Sequence, residues 1–172
     1  DSVWTLNATG GDGNYSYQFW FYWSDGTLYN TTIASTDGFE SSSSFHYRFS
    51  ASGNYELALW VKDESGQIVA DSIEYSAVSP EYPSVPEKAQ QLAEACLAAG
   101  CETDYEKALW MHDWLIYNAD YDGTYTYYGP DGVLCGGRGV CQSYSIAYAY
   151  LMQAVGIPCD TAANWNHMWN MI

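Results

Sequence analysis

The feature that most constrains the fold is a change in hydrophobic period near two closely spaced prolines. Before the prolines, apolar residues such as Tyr55 and Leu57 alternate with polar ones, which is the period of a half-buried strand. After them, apolar residues recur every three to four positions, as in an amphipathic helix. The prolines stiffen the chain and interrupt strand pairing. We therefore predict two domains, residues 1–78 and 84–172, joined by a proline-rich linker at residues 79–83.

The first domain has the composition of an all-β sandwich. Its candidate strands are rich in β-branched and aromatic residues and are separated by glycine-containing turns; they read VWTLNAT, YSYQFWFYW, TLYNTTI, SFHYRFS, NYELALWVK and IVADSIEY. Short strands at this spacing are typical of an antiparallel sandwich, whose core aromatic residues fill well. The stretch SGNYELALWVKDESG resembles the Gly-x-Tyr strand and following turn of bacterial Ig-like and PKD-like modules. This resemblance implies an Ig-like sandwich over residues 1–78.

The second domain begins with two helices that each follow a capping box. The first box is SVPE, and its helix is predicted to reach about Ala99 and to end at Gly100. The second box is TDYE, and its helix is predicted to run to about Asn118. A third helical pattern begins at Cys141 and stops at Gly156.

The segments around the third helix are predicted to be irregular or extended. Residues 121–139 are rich in Gly and Tyr and are interpreted as a loop without helix or strand. The acids Asp120, Asp122 and Asp131 in and next to this loop lack the EF-hand spacing and are expected to be solvated. Residues 162–172 alternate like one strand, which would place His167, Trp169 and Met171 on one face.

Cys141 is the candidate nucleophile. It follows Gly137 and Gly139, which allow a tight turn, and it stands at the predicted N-terminus of a helix. A helix N-terminus carries about half a positive charge and unpaired N–H groups. Both features stabilise a thiolate and can bind the oxyanion that forms when the thiolate attacks a carbonyl.

A thiol nucleophile needs a base, and the chain offers three histidines. His46 is interpreted as a strand residue of the first domain, and His112 as a packed or surface residue in mid-helix. His167 lies on an extended segment after the cysteine helix. A cysteine at a helix start with a histidine on a neighbouring strand is the papain-type arrangement, so His167 is the candidate base.

Three segments together resemble the transglutaminase-like (transglutaminase core) superfamily. YEKALWMHDWLIYNADYD is similar to the first core helix of that family, GVCQSYSIAYAYLMQAVGIPC to its nucleophile helix, and NHMWNMI to its histidine strand. The resemblance implies a C-terminal α+β, papain-like core with Cys141 as nucleophile and His167 as general base. It also implies export, because bacterial members often join this core to Ig-like modules on exported proteins.

The chain departs from the family at the third member of the triad. Family members carry an acidic residue on the strand after the histidine, but only MWNMI follows His167 here. Asn164, Asn166 and Asn170 are expected to face away from the imidazole and are not convincing substitutes. Three explanations stand: a shortened chain with a truncated sheet, an acid supplied by a second chain, or an inactive form. We favour the first, and we expect any dimer to form through the exposed sheet edge.

The composition of the chain limits the classes of partner that it could bind. The net charge is −16, with five Lys+Arg against 21 Asp+Glu, which argues against nucleic acid because phosphates need clustered cations. No apolar run reaches the roughly 18 residues of a membrane helix. The cysteines lack the paired spacing of a zinc site, so neither a metal nor a cofactor is expected. We expect a protein or peptide substrate, with cell-wall peptide among the candidates, and an extracellular or cell-surface bacterial protein.

Two functions follow from the sequence. The first is an exported cysteine acyl-transfer enzyme that cleaves or transfers amides through a thioester on Cys141. The alternative is a non-catalytic cell-surface module that keeps the transglutaminase-like shape for binding. The pairing of the other cysteines is left open; these are Cys96, Cys101, Cys135 and Cys159. Cys96 and Cys101 flank a helix end and are close enough in sequence to meet.

Overall fold

The computed structural model describes residues 1–23, 31–79 and 81–172. By their internal contacts, these residues form two units. The first comprises Asp1–Phe49 and Gly53–Ala77, and the second comprises Ser50–Ser52 and Val78–Ile172. Part of the predicted strand TLYNTTI, the turn before it and linker residue Pro80 lie outside the described residues.

The first unit contains strands β1 to β6, and the second contains four helices and four short strands. In chain order they are β1 Ser2–Thr5, β2 Ser16–Trp23, β3 Thr31–Ser35, β4 Ser44–Tyr47, β5 Gly53–Lys62, β6 Ile68–Ala77, α1 Val85–Ala98, α2 Asp104–Asn118, β7 Asp120–Tyr121, α3 Pro130–Leu134, β8 Arg138–Gly139, α4 Cys141–Ala154, β9 Asp160–Ala163 and β10 Met168–Met171.

The first unit is built from two antiparallel sheets around an aromatic core. One sheet has the order β3-β2-β5-β6, and the other pairs β1 with β4. Alternation along β5 buries Tyr55 and Leu57, as the sequence pattern predicts, and β2 buries Phe21 and Trp23 in the same way. Rings of the two sheets meet directly, since Trp4 lies 5.4 Å from Phe21, centroid to centroid. The assignment of this unit to the Ig-like modules stays a prediction.

The helix boundaries of the second unit agree with their sequence signals. Ser84 and Thr103 each close a complete capping box with the glutamate three residues later. Gly100 and Gly156 follow helices α1 and α4 with φ values of 89° and 75°. This left-handed backbone is the conformation that ends helices most readily at glycine. Helices α1, α2 and α3 all pack against α4, which is the central helix of the unit.

The residues linking α2 to α4 correct the prediction of a loop without structure. They form the five-residue helix α3 and the parallel pair β7–β8. Asp122 and Asp131 are both buried rather than solvated. Asp131 accepts a hydrogen bond from the Ser50 hydroxyl, at 2.8 Å. Buried carboxylates with hydrogen-bond donors around them can organise irregular backbone, which the sequence pattern alone did not indicate.

The C-terminal segment is a hairpin rather than one continuous strand. Strands β9 and β10 pair antiparallel, with Met168 opposite Ala163. The turn between them is closed by Asn164, whose Oδ1 accepts hydrogen bonds from the N–H groups of Asn166 and His167. Asparagine favours turns because its side chain can bind nearby backbone in this way. His167 therefore stands at the end of the turn, directly before β10.

Candidate active site

Cys141 is the first residue of α4 and is half-buried. The residue before it, Val140, is extended and caps the helix without a side-chain hydrogen bond. The first turn of α4 therefore has no acceptor from the side chain of its N-cap residue. The thiol stands where the helix dipole favours negative charge, as the sequence predicted.

The two glycines before Cys141 have different structural roles. Gly137 has a φ of 68°, so it adopts the left-handed conformation that glycine accepts without strain. Gly139 is needed for space, because a Cβ atom there would lie 2.5 Å from Ser143 Cβ and 2.6 Å from Val133 Cγ2. The chain can thus enter α4 only if residue 139 has no side chain.

Cys141 and His167 line the same cavity of about 460 Å³ in the second unit. Residues from α2, α4 and the C-terminal hairpin contribute to its walls. The lining residues are His112, Leu115, Ile116, Tyr121, Cys141, Tyr144, Ser145, Tyr148, His167, Met168, Asn170 and Ile172. The two residues predicted to form the catalytic pair are thus brought to one site from positions 26 apart in the sequence.

The hairpin holds His167 by both its backbone and its ring. The backbone N–H of His167 donates to Asn164 Oδ1, and its carbonyl accepts from the Asn164 N–H, each at 2.9 Å. The imidazole is exposed and stacks on Trp169, with ring centroids 6.1 Å apart. Among the described residues, no aspartate or glutamate pairs with this imidazole. The hairpin, rather than a carboxylate, therefore orients the candidate base.

Tyr121 is a site residue that the sequence interpretation missed. Its phenolic oxygen accepts a hydrogen bond from the backbone N–H of Cys141 and also hydrogen-bonds the Cys141 thiol. Burial is the strongest influence raising the pKa of the Tyr121 phenol, and the neighbouring thiol raises it further. The phenol therefore stays protonated and available as a donor at neutral pH. Its position just after α2 was the available signal.

Asp122 anchors the loop that follows Tyr121. Its carboxylate accepts hydrogen bonds from the Thr124 hydroxyl and from the N–H groups of Thr126 and Tyr127. Burial pushes the pKa of Asp122 upward, but these hydrogen bonds outweigh it and hold the pKa below its usual range. The sequence DGTYT carried a signal, since aspartate two residues before threonine favours such a turn.

The anchored loop in turn holds the start of α4. The carbonyl of Tyr127 accepts hydrogen bonds from the Val140 N–H, at 3.1 Å, and from the Ser143 hydroxyl, at 2.7 Å. The N–H of Tyr127 is held by Asp122 at the same time. The buried carboxylate thus positions the helix turn that carries Cys141 without touching the thiol.

Asn170 corrects the expectation that the nearby asparagines face away from the site. It lines the cavity together with His167, because the turn before β10 breaks the alternation assumed for a single strand. Its Nδ2 donates to the Ser145 carbonyl at 2.9 Å and to Cys159 Sγ at 3.4 Å. Asn170 therefore fastens β10 to α4 rather than orienting the imidazole.

His112 is a surface residue, as predicted, but it also lies on the wall of the cavity. Its Nδ1 lies 3.1 Å from Asp113 Oδ1. The third histidine, His46, lies on β4 in the first unit, in agreement with its prediction. Of the three histidines, His112 and His167 therefore reach the site.

All five cysteines are free thiols. Cys96 and Cys101 hydrogen-bond each other; burial, followed by this contact, raises the pKa of Cys96 to about 11. Burial raises the pKa of Cys135 to about 12 and also raises that of Cys159. These three thiols are therefore held in the unreactive protonated form.

No group of three or more His, Cys, Asp or Glu side chains within residues 1–23, 31–79 and 81–172 is arranged to hold a metal ion. Over the same ranges, no helix combines the length and apolar character needed to cross a bilayer.

A mixed α/β unit with a cysteine at a helix start and a histidine on the same cavity is compatible with the class of transglutaminase-like cores. Residues 90–171 match the family described as the Transglutaminase-like superfamily. The resemblance predicted from the sequence is thus supported for this region. Comparisons with curated proteins and with solved structures found no match.

Proposed function

We propose that the transglutaminase-like region is a cysteine acyl-transfer enzyme acting on amides or esters. The observation that carries this proposal is the placement of Cys141 and His167 on one cavity, with the thiol on the first residue of α4. The cavity volume of about 460 Å³ is in the range of small-molecule and side-chain binding sites.

In the proposed reaction, the His167 imidazole takes the proton of the Cys141 thiol as the sulfur attacks the carbonyl carbon. A C–S bond forms, and the carbonyl oxygen becomes an oxyanion. The Cys141 N–H and the Tyr121 hydroxyl donate to this oxyanion, each released from the hydrogen bond that now joins them. The C–N or C–O bond then breaks, and the imidazolium returns its proton to the leaving group.

The second half of the reaction releases the acyl group. Water or an amine attacks the thioester while His167 accepts its proton, and the C–S bond breaks to restore the thiol. Hydrolysis and transfer thus share one mechanism and differ in the second nucleophile. We further propose export to a bacterial cell surface, which fits the strongly acidic composition; fractionation of source cells would test it.

A specific observation favours a second candidate, a non-catalytic binding module. The His167 imidazole lacks a carboxylate partner among the described residues. Loss of the orienting member of a triad can cost orders of magnitude in rate. In this alternative the cavity binds a peptide or glycan without cleaving it.

Acylation by p-nitrophenyl acetate distinguishes the two candidates. Intact-mass spectrometry of the acid-quenched protein should show one acetyl group per chain, located on Cys141 by peptide mapping. Cys141→Ala should abolish the adduct, and His167→Ala should slow its formation by about 10²-fold or more. Cys101→Ala and His46→Ala are matched controls and should behave like the parent protein. Acetylation that is equal in Cys141→Ala and the parent would refute the enzyme and leave the binding module.

A further inference from the structure

We infer that the cavity beside Cys141 selects substrates whose group next to the scissile carbonyl is an uncharged aromatic or aliphatic chain. This inference rests on the proposed function and names the substrate class of the same site. It follows from the length of the cavity, from the way its polar atoms are occupied, and from the lack of lysine and arginine among its described lining residues.

The cavity follows the groove between α2 and α4. The hydroxyl of Tyr144 donates to the Ala119 carbonyl at 2.8 Å, and that of Tyr148 donates to the Ala108 carbonyl at 3.0 Å. These two bonds show that α2 and α4 run antiparallel along this face. From Cys141 to Tyr148 the helix rises about 10 Å, at 1.5 Å per residue. A side chain extending from the carbonyl can therefore lie along two turns of α4.

Tyr144 and Tyr148, which border the groove, present their rings rather than their hydroxyls. Both hydroxyls already donate to carbonyls of the α2 segment, as described above. The amide of Asn170 is likewise occupied by the Ser145 carbonyl. The remaining walls include Leu115, Ile116 and Met168, which are apolar. Burial of an apolar substrate group in this groove is therefore favourable, because it removes apolar surface from water. A polar group would find few hydrogen-bond partners that are not already occupied.

A charged substrate group would be disfavoured in the groove. Among the described lining residues there is no lysine or arginine. The nearest basic residue along the chain, Arg138, is exposed on β8 and is not one of them. The His112 imidazole already lies beside the Asp113 carboxylate. Apart from the His167 imidazole, which the proposed reaction reserves for the Cys141 proton, the described lining residues offer a carboxylate no unpaired basic partner, and the chain carries a net charge of −16.

Alkylation of Cys141 by three related reagents tests this selectivity. Iodoacetamide, N-(2-phenylethyl)iodoacetamide and N-(2-carboxyethyl)iodoacetamide share one reactive group, and glutathione provides their intrinsic reactivities. Relative to glutathione, the phenylethyl reagent should alkylate Cys141 at least about tenfold faster than iodoacetamide, as expected when an apolar group fills a pocket. The carboxyethyl reagent should react more slowly than iodoacetamide. The inference would be overturned if the relative rates of the three reagents with Cys141 equalled those with glutathione, or if Cys141 preferred the carboxyethyl reagent.

Two variants test whether the preference for the phenylethyl reagent arises in the groove. Ile116→Ser removes apolar surface from the groove and should reduce the phenylethyl preference by about fourfold, the effect of about one buried methylene. Ile116 is 56% exposed, so the variant is expected to fold. Tyr117→Ser changes the neighbouring residue, which does not line the cavity, and should leave the preference intact. A preference that survives Ile116→Ser would contradict the assignment.

The same experiment separates this inference from the proposed function. If Cys141 reacts with iodoacetamide no faster than an ordinary thiol but keeps the phenylethyl preference, the activated nucleophile is refuted and the apolar selectivity stands. If Cys141 reacts fast with all three reagents and their relative rates equal those with glutathione, the activated nucleophile is supported and the apolar selectivity is refuted.

Discussion

The phenolic oxygen of Tyr121 hydrogen-bonds both the backbone N–H and the thiol of Cys141. Tyr121 lies on β7, whose parallel partner β8 ends two residues before the thiol. The pairing of these short strands therefore sets the distance between the phenol and the first turn of α4. In the proposed reaction, the Tyr121 hydroxyl donates to the oxyanion that forms when the thiolate attacks a carbonyl.

Tyr121→Phe should reduce the rate of Cys141 acetylation by p-nitrophenyl acetate by about 10²-fold. Removing one oxyanion donor from an active site has an effect of this size. Tyr117→Phe is the matched control, because Tyr117 is 84% exposed and does not line the cavity. An unchanged acetylation rate in Tyr121→Phe would remove the phenol from the mechanism.

Gly139→Ala should destabilise the protein by about 1–3 kcal/mol, because the added methyl group would overlap Ser143 and Val133. Displacement of the first turn of α4 should also slow the labelling of Cys141. Urea denaturation followed by tryptophan fluorescence measures the stability. Gly123→Ala is the control, since a Cβ at residue 123 would meet nothing within 4 Å. Equal stability of the two variants would contradict the close packing at Gly139.

Asp122→Asn should lower the free energy of unfolding at pH 7 by about 1–3 kcal/mol, as it weakens hydrogen bonds to a buried carboxylate. The loop's hydrogen bonds hold the folded-state pKa of Asp122 below its usual range, so the ionised form favours folding. This contribution is complete above about pH 5 and is lost as pH falls below about 4.

Urea titrations of the parent protein and Asp122→Asn at several pH values measure this dependence. The difference between them should be constant from about pH 5 upward and should narrow in more acidic solution. Asp104→Asn is a suitable control, because the Asp104 carboxylate is 82% exposed. A difference that widens as the pH falls would show that the Asp122 carboxylate does not stabilise the loop in its ionised form.

Cys96 and Cys135 should resist alkylation by iodoacetamide at pH 8 in the folded protein. Burial raises the pKa of these thiols to about 11 and about 12, so their thiolate fraction is very small. Peptide mapping after timed labelling should show both largely unmodified until urea unfolds the chain. Rapid labelling of Cys135 in the folded state would contradict the burial of its thiol.

Local signals in the sequence were sufficient for the main helices. The capping boxes at Ser84 and Thr103 and the glycines at 100 and 156 fix helix ends through contacts within a few residues. Burial of alternate residues in β2 and β5 is likewise a local pattern. Cys141 could be placed at a helix start because the glycines before it and the helical pattern after it are also local features of the sequence.

The missed features depend on contacts that join distant segments. The loop acid Asp131 is buried against Ser50, which lies 81 residues earlier in the chain. Asn170 reaches the cavity because Asn164 turns the chain back, which the alternation of residues 162–172 concealed. Tyr121 meets Cys141 only through the pairing of β7 and β8. The hydrophobic period and the spacing of residues within one segment do not predict such contacts, because they depend on that segment alone.

The central claim is that the Cys141 thiol is activated by the His167 imidazole across their shared cavity. The most direct test is the rate of iodoacetamide labelling of each cysteine at pH 7, in the parent protein and in His167→Ala. Cys141 should react at least about tenfold faster than the other thiols in the parent, since a base that raises the thiolate fraction raises the rate. His167→Ala should remove that advantage. A Cys141 that labels at the same rate with and without the imidazole would contradict the account.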